Sequence, residues 1–106
     1  ILHNCAAKEL HLAAILETGL SAFHFGAPMD LPSALGKVPP GVVLCGNLDP
    51  AGVFCQLAPA EVRARAAELL SRAGAHRNYV LSSGCDVPAA APLANLDALY
   101  AAASGA

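Results

Sequence analysis

The first residues of the chain place a histidine and a cysteine two positions apart. His3 and Cys5 lie in the stretch LHNC, and Cys85 lies in SSGCDVP towards the other end of the chain. Imidazole nitrogen and thiolate sulfur are ligands of zinc, and three such ligands with a fourth position left open are typical of a catalytic zinc site. Two further polar residues, Asn47 and Asp49, lie in GNLDP near the middle of the chain.

The secondary structure around these residues decides whether they can meet. Residues i and i+2 of a strand point to the same face, so His3 and Cys5 project together at the end of the first predicted strand. Cys85 follows the fourth predicted strand. In a barrel of parallel strands the carboxyl ends lie on one rim, where active sites are found. The three side chains can therefore converge, although spacing alone favours a buried histidine and small core cysteines.

Four similar units follow one another, each a short apolar strand, a turn and a helical stretch. The strands are predicted in ILHNC, SAFHF, GVVLCGNL and NYVLSSG, and the helices in KELHLAAILET, near Leu31–Leu35, from about Pro59 to Ala73 and from about Asn95 to Ala103. Apolar strands that recur between helices indicate a parallel sheet buried on both faces. Because a whole (β/α)8 barrel takes ~250 residues, four βα units predict an α/β fold equal to half of a TIM barrel.

The composition is that of one compact unit over residues 1–106. Hydrophobic residues make up 56% and charged residues 13% of the chain, which excludes a disordered segment. No apolar run approaches the ~18–20 residues of a membrane span. The net charge of −2, without a basic patch, argues against nucleic-acid binding. We expect a cytoplasmic protein, since no signal peptide pattern is present, and therefore reduced thiols, with Cys45 and Cys55 as small core residues.

The start of the chain, inside a strand and without methionine, suggests a fragment of a longer protein. A half-barrel leaves two open strand edges and an uncovered apolar interior. We therefore expect either the missing N-terminal half of the barrel or a second copy, in a homodimer, to cover it.

The order of motifs along essentially the whole chain resembles the C-terminal half of the uroporphyrinogen decarboxylase superfamily. The motifs are LHNC, SAFHFGAPMDL, VLCGNLDP, AEVRARAAELLSRAG, YVLSSGCDVP and ANLDALYAAA, of which GNLDP and SSGCDVP are specific. The resemblance implies a (β/α)8 barrel whose last four strands lie in this chain. The His-x-Cys and Cys set is similar to that of the methylcobamide:coenzyme M methyltransferase branch, which implies zinc ligands at His3, Cys5 and Cys85.

In that branch, the implied activity is transfer of a methyl group from a methylcorrinoid, with a corrinoid protein as partner, to a small thiol bound at zinc. One alternative is a uroporphyrinogen decarboxylase of porphyrin biosynthesis, which needs no metal. Another is a non-catalytic partial barrel that only associates with a partner. Two positions depart from the relatives, since Ala6 stands where Gly is common and Gly26 where many have an acidic residue. Because of these two differences, the resemblance does not identify the substrate.

Asn47 and Asp49 are two and four residues after Cys45, so their side chains are predicted to point to the same face of the strand. They lie at the end of that strand, on the same rim as the candidate zinc ligands. Asn47 is interpreted as a hydrogen-bonding partner of the substrate and Asp49 as a rim carboxylate, both with a part in catalysis. The alternative is that Asp49 and Pro50 form a turn that starts a helix.

Three other polar residues are interpreted structurally or left open. Asp30 is predicted to cap the short second helix. His24 lies in the second strand and could face the site, but the flanking Phe23 and Phe25 favour a satisfied core histidine. Asp86 either orients the ligands of the metal site without binding the metal itself or caps the loop.

Overall fold

Four parallel strands form one sheet in a computed structural model, which describes residues 1–105. The strands are β1 (Leu2–Asn4), β2 (Ala22–Phe25), β3 (Val43–Leu48) and β4 (Tyr79–Ser83). They lie in the order β1-β2-β3-β4, so that β1 and β4 are the two edges of the sheet. Every neighbouring pair is parallel, which confirms the four predicted βα units.

The helices alternate with the strands. They are α1 (Leu12–Leu16), preceded by a 3₁₀ turn at Glu9–His11, α2 (Leu31–Lys37), α3 (Pro59–Ala73) and α4 (Leu93–Ser104), and a π-helical segment spans Pro50–Cys55. The predicted bounds of α3 are correct, because Pro59 suits the first turn and Gly74 ends the helix with a φ of 61°. The first helix is shorter than predicted, because Glu9–His11 form a 3₁₀ turn and the α-helix ends at Leu16. The Thr18 hydroxyl donates to the Ile15 carbonyl just after its end. Within residues 1–105, no helix has both the length and the apolar character needed to cross a bilayer.

Buried apolar side chains form two clusters between the sheet and the helices. The first contains Phe23 and Phe25 of β2 together with residues of α2, and the second contains Phe54 of the π-helical segment and Val62 of α3. Leu69 of α3 packs against both clusters. Helix α3 therefore links the two halves of the core.

The opposite face of the sheet, here called the inner face, is not covered by helices. The strand register aligns His3 with His24, His24 with Cys45, and Cys45 with Val80. Val80 is 50% exposed, and the other three side chains are exposed or half-buried. The sheet is therefore buried on its helix side alone, and its inner face is more polar than the sequence led us to expect.

A buried amide holds α4 against the π-helical segment. The side chain of Asn95 is 1% exposed, and its Nδ2 donates to the carbonyls of Phe54 at 2.7 Å and Leu57 at 3.0 Å. These carbonyls belong to the end of the π-helical segment and the turn after it, where backbone acceptors lack partners within the segment. The side chain of Asn95 therefore replaces missing backbone donors.

Replacement of Asn95 by alanine is expected to destabilise the fold. The change leaves two buried carbonyls without a donor, and each such loss costs roughly 1–3 kcal/mol. Denaturant unfolding of Asn95→Ala in the intact protein that carries this sequence measures the loss. Asp97→Ala, an exposed substitution in the same helix, is the control and should stay within about 0.5 kcal/mol of the parent. Equal stability of the two variants would contradict the assigned role of Asn95.

Candidate metal centre

Three potential metal ligands from the two edges of the sheet come together at the carboxyl ends of the strands. His3 lies in β1, Cys5 follows β1, and Cys85 lies two residues after β4. The His3 imidazole nitrogen and the two Sγ atoms lie within 4.8 Å of one another. They are the three residues predicted from the sequence to converge.

The distance between the histidine and one of the cysteines matches that in a zinc centre. His3 Nε2 lies 3.6 Å from Cys85 Sγ. With Zn–N distances of ~2.0–2.1 Å and Zn–S distances of ~2.3 Å, a tetrahedral centre separates its N and S ligand atoms by about 3.6 Å. His3 and Cys5 are exposed and Cys85 is half-buried, so the centre is accessible to a small molecule. The donor set of one nitrogen and two sulfurs is also one that zinc prefers.

Two glycines allow the strand ends to lie this close together. A Cβ atom on Gly26, directly after β2, would lie 2.1 Å from the Cys5 carbonyl oxygen. A Cβ atom on Gly84, directly before Cys85, would lie 2.8 Å from the Cα atom of Gly26. The backbones after β1, β2 and β4 therefore touch without intervening side chains, and any larger residue at Gly26 would push Cys5 away.

The electrostatics of the centre favour a cation. Hydrogen bonding to Cys85 raises the pKa of the Cys5 thiol, and the Coulombic interaction with Cys85 raises it further. Asp86 adds a smaller effect of the same sign. Two adjacent thiols resist losing both protons unless a positive charge compensates for the two thiolates. A divalent metal ion supplies that charge.

His24 belongs to the surroundings of this centre, and it is hydrogen-bonded to the Ser83 carbonyl, as expected of a satisfied histidine, but it does not lie in the core. The phenylalanines on either side of it point to the helix side and are buried, whereas His24 is half-buried on the inner face. Its ring centroid lies 4.6 Å from that of His3. Strand parity was the available signal, since alternate residues point to opposite faces.

Asn47 is buried beneath the rim and holds a loop. Its Nδ2 donates to the carbonyls of Gly26 at 2.9 Å and Met29 at 2.7 Å, both in the connection between β2 and α2. The two amide hydrogens are thus used within the fold, which leaves the side-chain carbonyl as the group that can meet a substrate. By holding Gly26, Asn47 also supports the backbone against which Cys5 packs.

Asp49 is exposed and faces a different part of the rim. It lines a cavity of about 400 Å³, which lies between helix α3 and the loops after β2 and β3. The other polar residues that line this cavity include Asn47, Asp30, Arg65 and Arg72. His3, Cys5 and Cys85 are not among the residues that line this cavity. The structure therefore places Asp49 beside a cleft next to the ligand cluster rather than within the cluster. Its backbone also begins the π-helical segment, as the turn interpretation expects.

Asp30 caps α2, as predicted. Its Oδ2 accepts a hydrogen bond from the Ser33 N–H at 3.1 Å, and its Oδ1 lies 3.5 Å from Arg72 of α3. The ion pair is half exposed on both sides, so it contributes little to stability.

The fold and the site together define part of a (β/α)8 barrel with a candidate metal centre on the rim where barrel enzymes hold their active sites. The chain belongs to the uroporphyrinogen decarboxylase (URO-D) family, whose family model matches residues 1–105. The family resemblance of the motifs is therefore confirmed.

Its relatives include both a methyltransferase and a decarboxylase. The chain is 32% identical over 96 residues to the methylcobamide:CoM methyltransferase MtbA of Methanosarcina mazei, covering 91% of this chain and 27% of that protein. It is 30% identical over 90 residues to a uroporphyrinogen decarboxylase of Drosophila virilis, covering 85% of this chain and 22% of that protein. The chain thus spans about a quarter of the length of these relatives.

A solved structure confirms the fold as a partial barrel. A methyltransferase from Methanosarcina mazei superposes with a TM-score of 0.75 at 21% sequence identity. The match covers 90% of this chain and 27% of that chain. At this identity the likeness establishes the fold alone.

Replacement of Gly26 by alanine is expected to disturb the metal centre. The added methyl group meets the Cys5 carbonyl, and overpacking of this kind typically costs about 1–3 kcal/mol. Gly36→Ala is the matched control, because a Cβ atom there meets nothing within 4 Å and an alanine in a helix is favourable by roughly 0.5–1 kcal/mol. Denaturant unfolding compares the two variants. Equal stability of Gly26→Ala and Gly36→Ala would show that the strand ends are not held by this contact.

Proposed function

We propose that the protein carrying this chain is a zinc-dependent methyltransferase that moves a methyl group from a methylcorrinoid to a thiol. The observation that carries the proposal is the convergence of His3, Cys5 and Cys85 at the carboxyl ends of β1 and β4. The 32% identity to a protein named for methyl transfer from a methylcobamide supports the same reaction.

The chain's own residues would hold the metal and leave room for the acceptor. His3 would contribute an imidazole nitrogen, and Cys5 and Cys85 would contribute two sulfurs. Zinc bound here would supply a cation that keeps an acceptor thiol deprotonated near neutral pH. Three protein ligands leave the fourth position of a tetrahedral ion for that thiol.

Two cysteine thiolate ligands would favour a zinc-bound acceptor that acts as a nucleophile, rather than a zinc ion that acts as a strong Lewis acid. Their negative charges would offset that of a bound divalent cation, so an acceptor sulfur at the open position would retain electron density for attack. In the transfer, the sulfur–carbon bond forms while the cobalt–carbon bond of the substrate breaks, and the electron pair of that bond stays on cobalt. The proton of the acceptor thiol leaves before the attack.

The rim beside the metal centre would position the substrates. We assign Asp49 as a rim carboxylate at the cavity beside α3 and Asn47 as the residue that holds the neighbouring loop while its carbonyl faces the substrate. The remainder of a barrel, or a second copy of the chain, would cover the inner face.

A uroporphyrinogen decarboxylase is the alternative function, which the 30% identity to the Drosophila virilis protein favours. In that case His3, Cys5 and Cys85 need no metal, and the residues of the motifs contact the substrate directly. The metal content of the purified protein therefore separates the two functions.

Replacement of Cys85 by serine is expected to abolish stoichiometric zinc binding in the intact protein. A serine hydroxyl stays protonated near neutral pH and is a much poorer zinc ligand than a thiolate. Zinc reconstitution followed by elemental analysis measures the content. Cys55→Ser, a half-buried cysteine outside the cluster, is the control and should retain the metal. Wild-type protein without zinc, or Cys85→Ser with unchanged zinc, would exclude the methyltransferase function.

Zinc affinity is expected to rise with pH. Binding displaces the protons of Cys5 and Cys85, and the raised pKa of Cys5 keeps that thiol protonated through the neutral range. Each displaced proton makes the affinity increase by up to about tenfold per pH unit below the thiol pKa. Competition with a chromophoric chelator at several pH values gives the slope. Cys5→Ser should lower that slope by about one proton, and a slope of zero in the wild type would contradict thiolate ligation.

A further inference from the structure

His24 makes direct contact with one of the proposed metal ligands. The register of β1 and β2 places His3 and His24 side by side on the inner face. Their ring centroids are 4.6 Å apart, with an angle of 37° between the ring planes. This separation is within the range of a packed aromatic pair, so the His24 ring limits the orientations that the His3 ring can adopt.

The other side of the His24 ring reaches β4. Its Nε2 lies 2.7 Å from the carbonyl oxygen of Ser83, and because a carbonyl can only accept, Nε2 carries the hydrogen. Ser82 Oγ lies 3.3 Å from the same nitrogen. Strand β3 lies between β2 and β4 in the sheet, so this hydrogen bond joins two strands that are not neighbours.

A second hydrogen bond continues from β4 to the third proposed ligand. The Ser83 hydroxyl donates to the carbonyl oxygen of Cys85 at 2.6 Å. The contacts therefore run from the His3 ring through His24 and Ser83 to the backbone of Cys85. His3 and Cys85 are thus linked by protein contacts that need no metal ion.

We propose that His24 is a positioning residue for the metal centre, which fixes the His3 ring and the Cys85 backbone at the separation that the ion requires. The inference rests on the proposed metal-dependent function. A ligand held in place before binding loses less side-chain entropy when the metal arrives, so the affinity is higher. His24 itself is outside the set of three ligands, and its Nε2 is already occupied by Ser83.

Two substitutions separate the two contacts of His24. His24→Phe keeps a flat ring against His3 but loses the donor to Ser83, and His24→Gln keeps a donor but loses the ring. His76→Phe and His76→Gln are the matched controls, since His76 is exposed and lies in the connection between α3 and β4. Each variant is made in the intact protein and is titrated with Co²⁺ and Zn²⁺. The Co²⁺ absorption spectrum and the thermal melting of the metal-free protein are recorded.

The proposal expects both His24 variants to bind Zn²⁺ about 10–100-fold more weakly than the wild type. It also expects their Co²⁺ ligand-field bands to shift, because the ligand geometry changes, while both His76 variants behave as the wild type. His24 variants that melt earlier but keep the wild-type spectrum and affinity below their melting temperature would show a purely structural role and overturn the proposal. Wild-type protein that binds neither ion would overturn the proposed function, and the positioning role with it.

Discussion

The close packing of three backbone segments after β1, β2 and β4 is the constraint on which the site depends. Gly26 lies against the Cys5 carbonyl, and Gly84 lies against Gly26, so no side chain separates these segments. The sheet has only four strands, and its first and last would otherwise be kept apart by two strands between them. Because the backbones touch, ligands that are 82 residues apart in the chain reach hydrogen-bonding distance.

Buried side chains hold the loops next to this contact, whereas the candidate ligands themselves are exposed or half-buried. Asn47 holds the connection after β2, and Asn95 holds the segment after β3, each through two bonds from a side-chain amide to backbone carbonyls. Both amides are buried. The layer beneath the rim is therefore buried and hydrogen-bonded, while Cys5 is exposed and Cys85 is half-buried. This arrangement suits a centre that binds an ion and exchanges one ligand.

The hydrophobic periodicity and the positions of glycine and proline were enough to predict the βα units. The bounds of α3 could be predicted because Pro59 and Gly74 determine the helix ends through their own backbone conformations. The convergence of His3, Cys5 and Cys85 followed from strand ends and family resemblance together. Strand parity could place His24 on the inner face, but its contacts could not be predicted, because they depend on the register between β1 and β2 and on a carbonyl in β4. The partners of Asn47 were also inaccessible, because backbone acceptors in a folded loop have no signature in the residue types.

The contact at Gly26 has an evolutionary consequence. A relative with an acidic residue at this position, as the family resemblance implies for many, would need more room between the segments after the first and second strands, since even a methyl group would collide here. Substitution of this residue alone therefore strains the fold, and full accommodation is a separate matter. It requires compensating shifts in the backbone around Cys5, so the two positions are expected to change together during divergence. Substitutions at this site are then expected to reflect the distance between the backbone segments at Gly26 and Cys5 as well as the chemistry of the side chains.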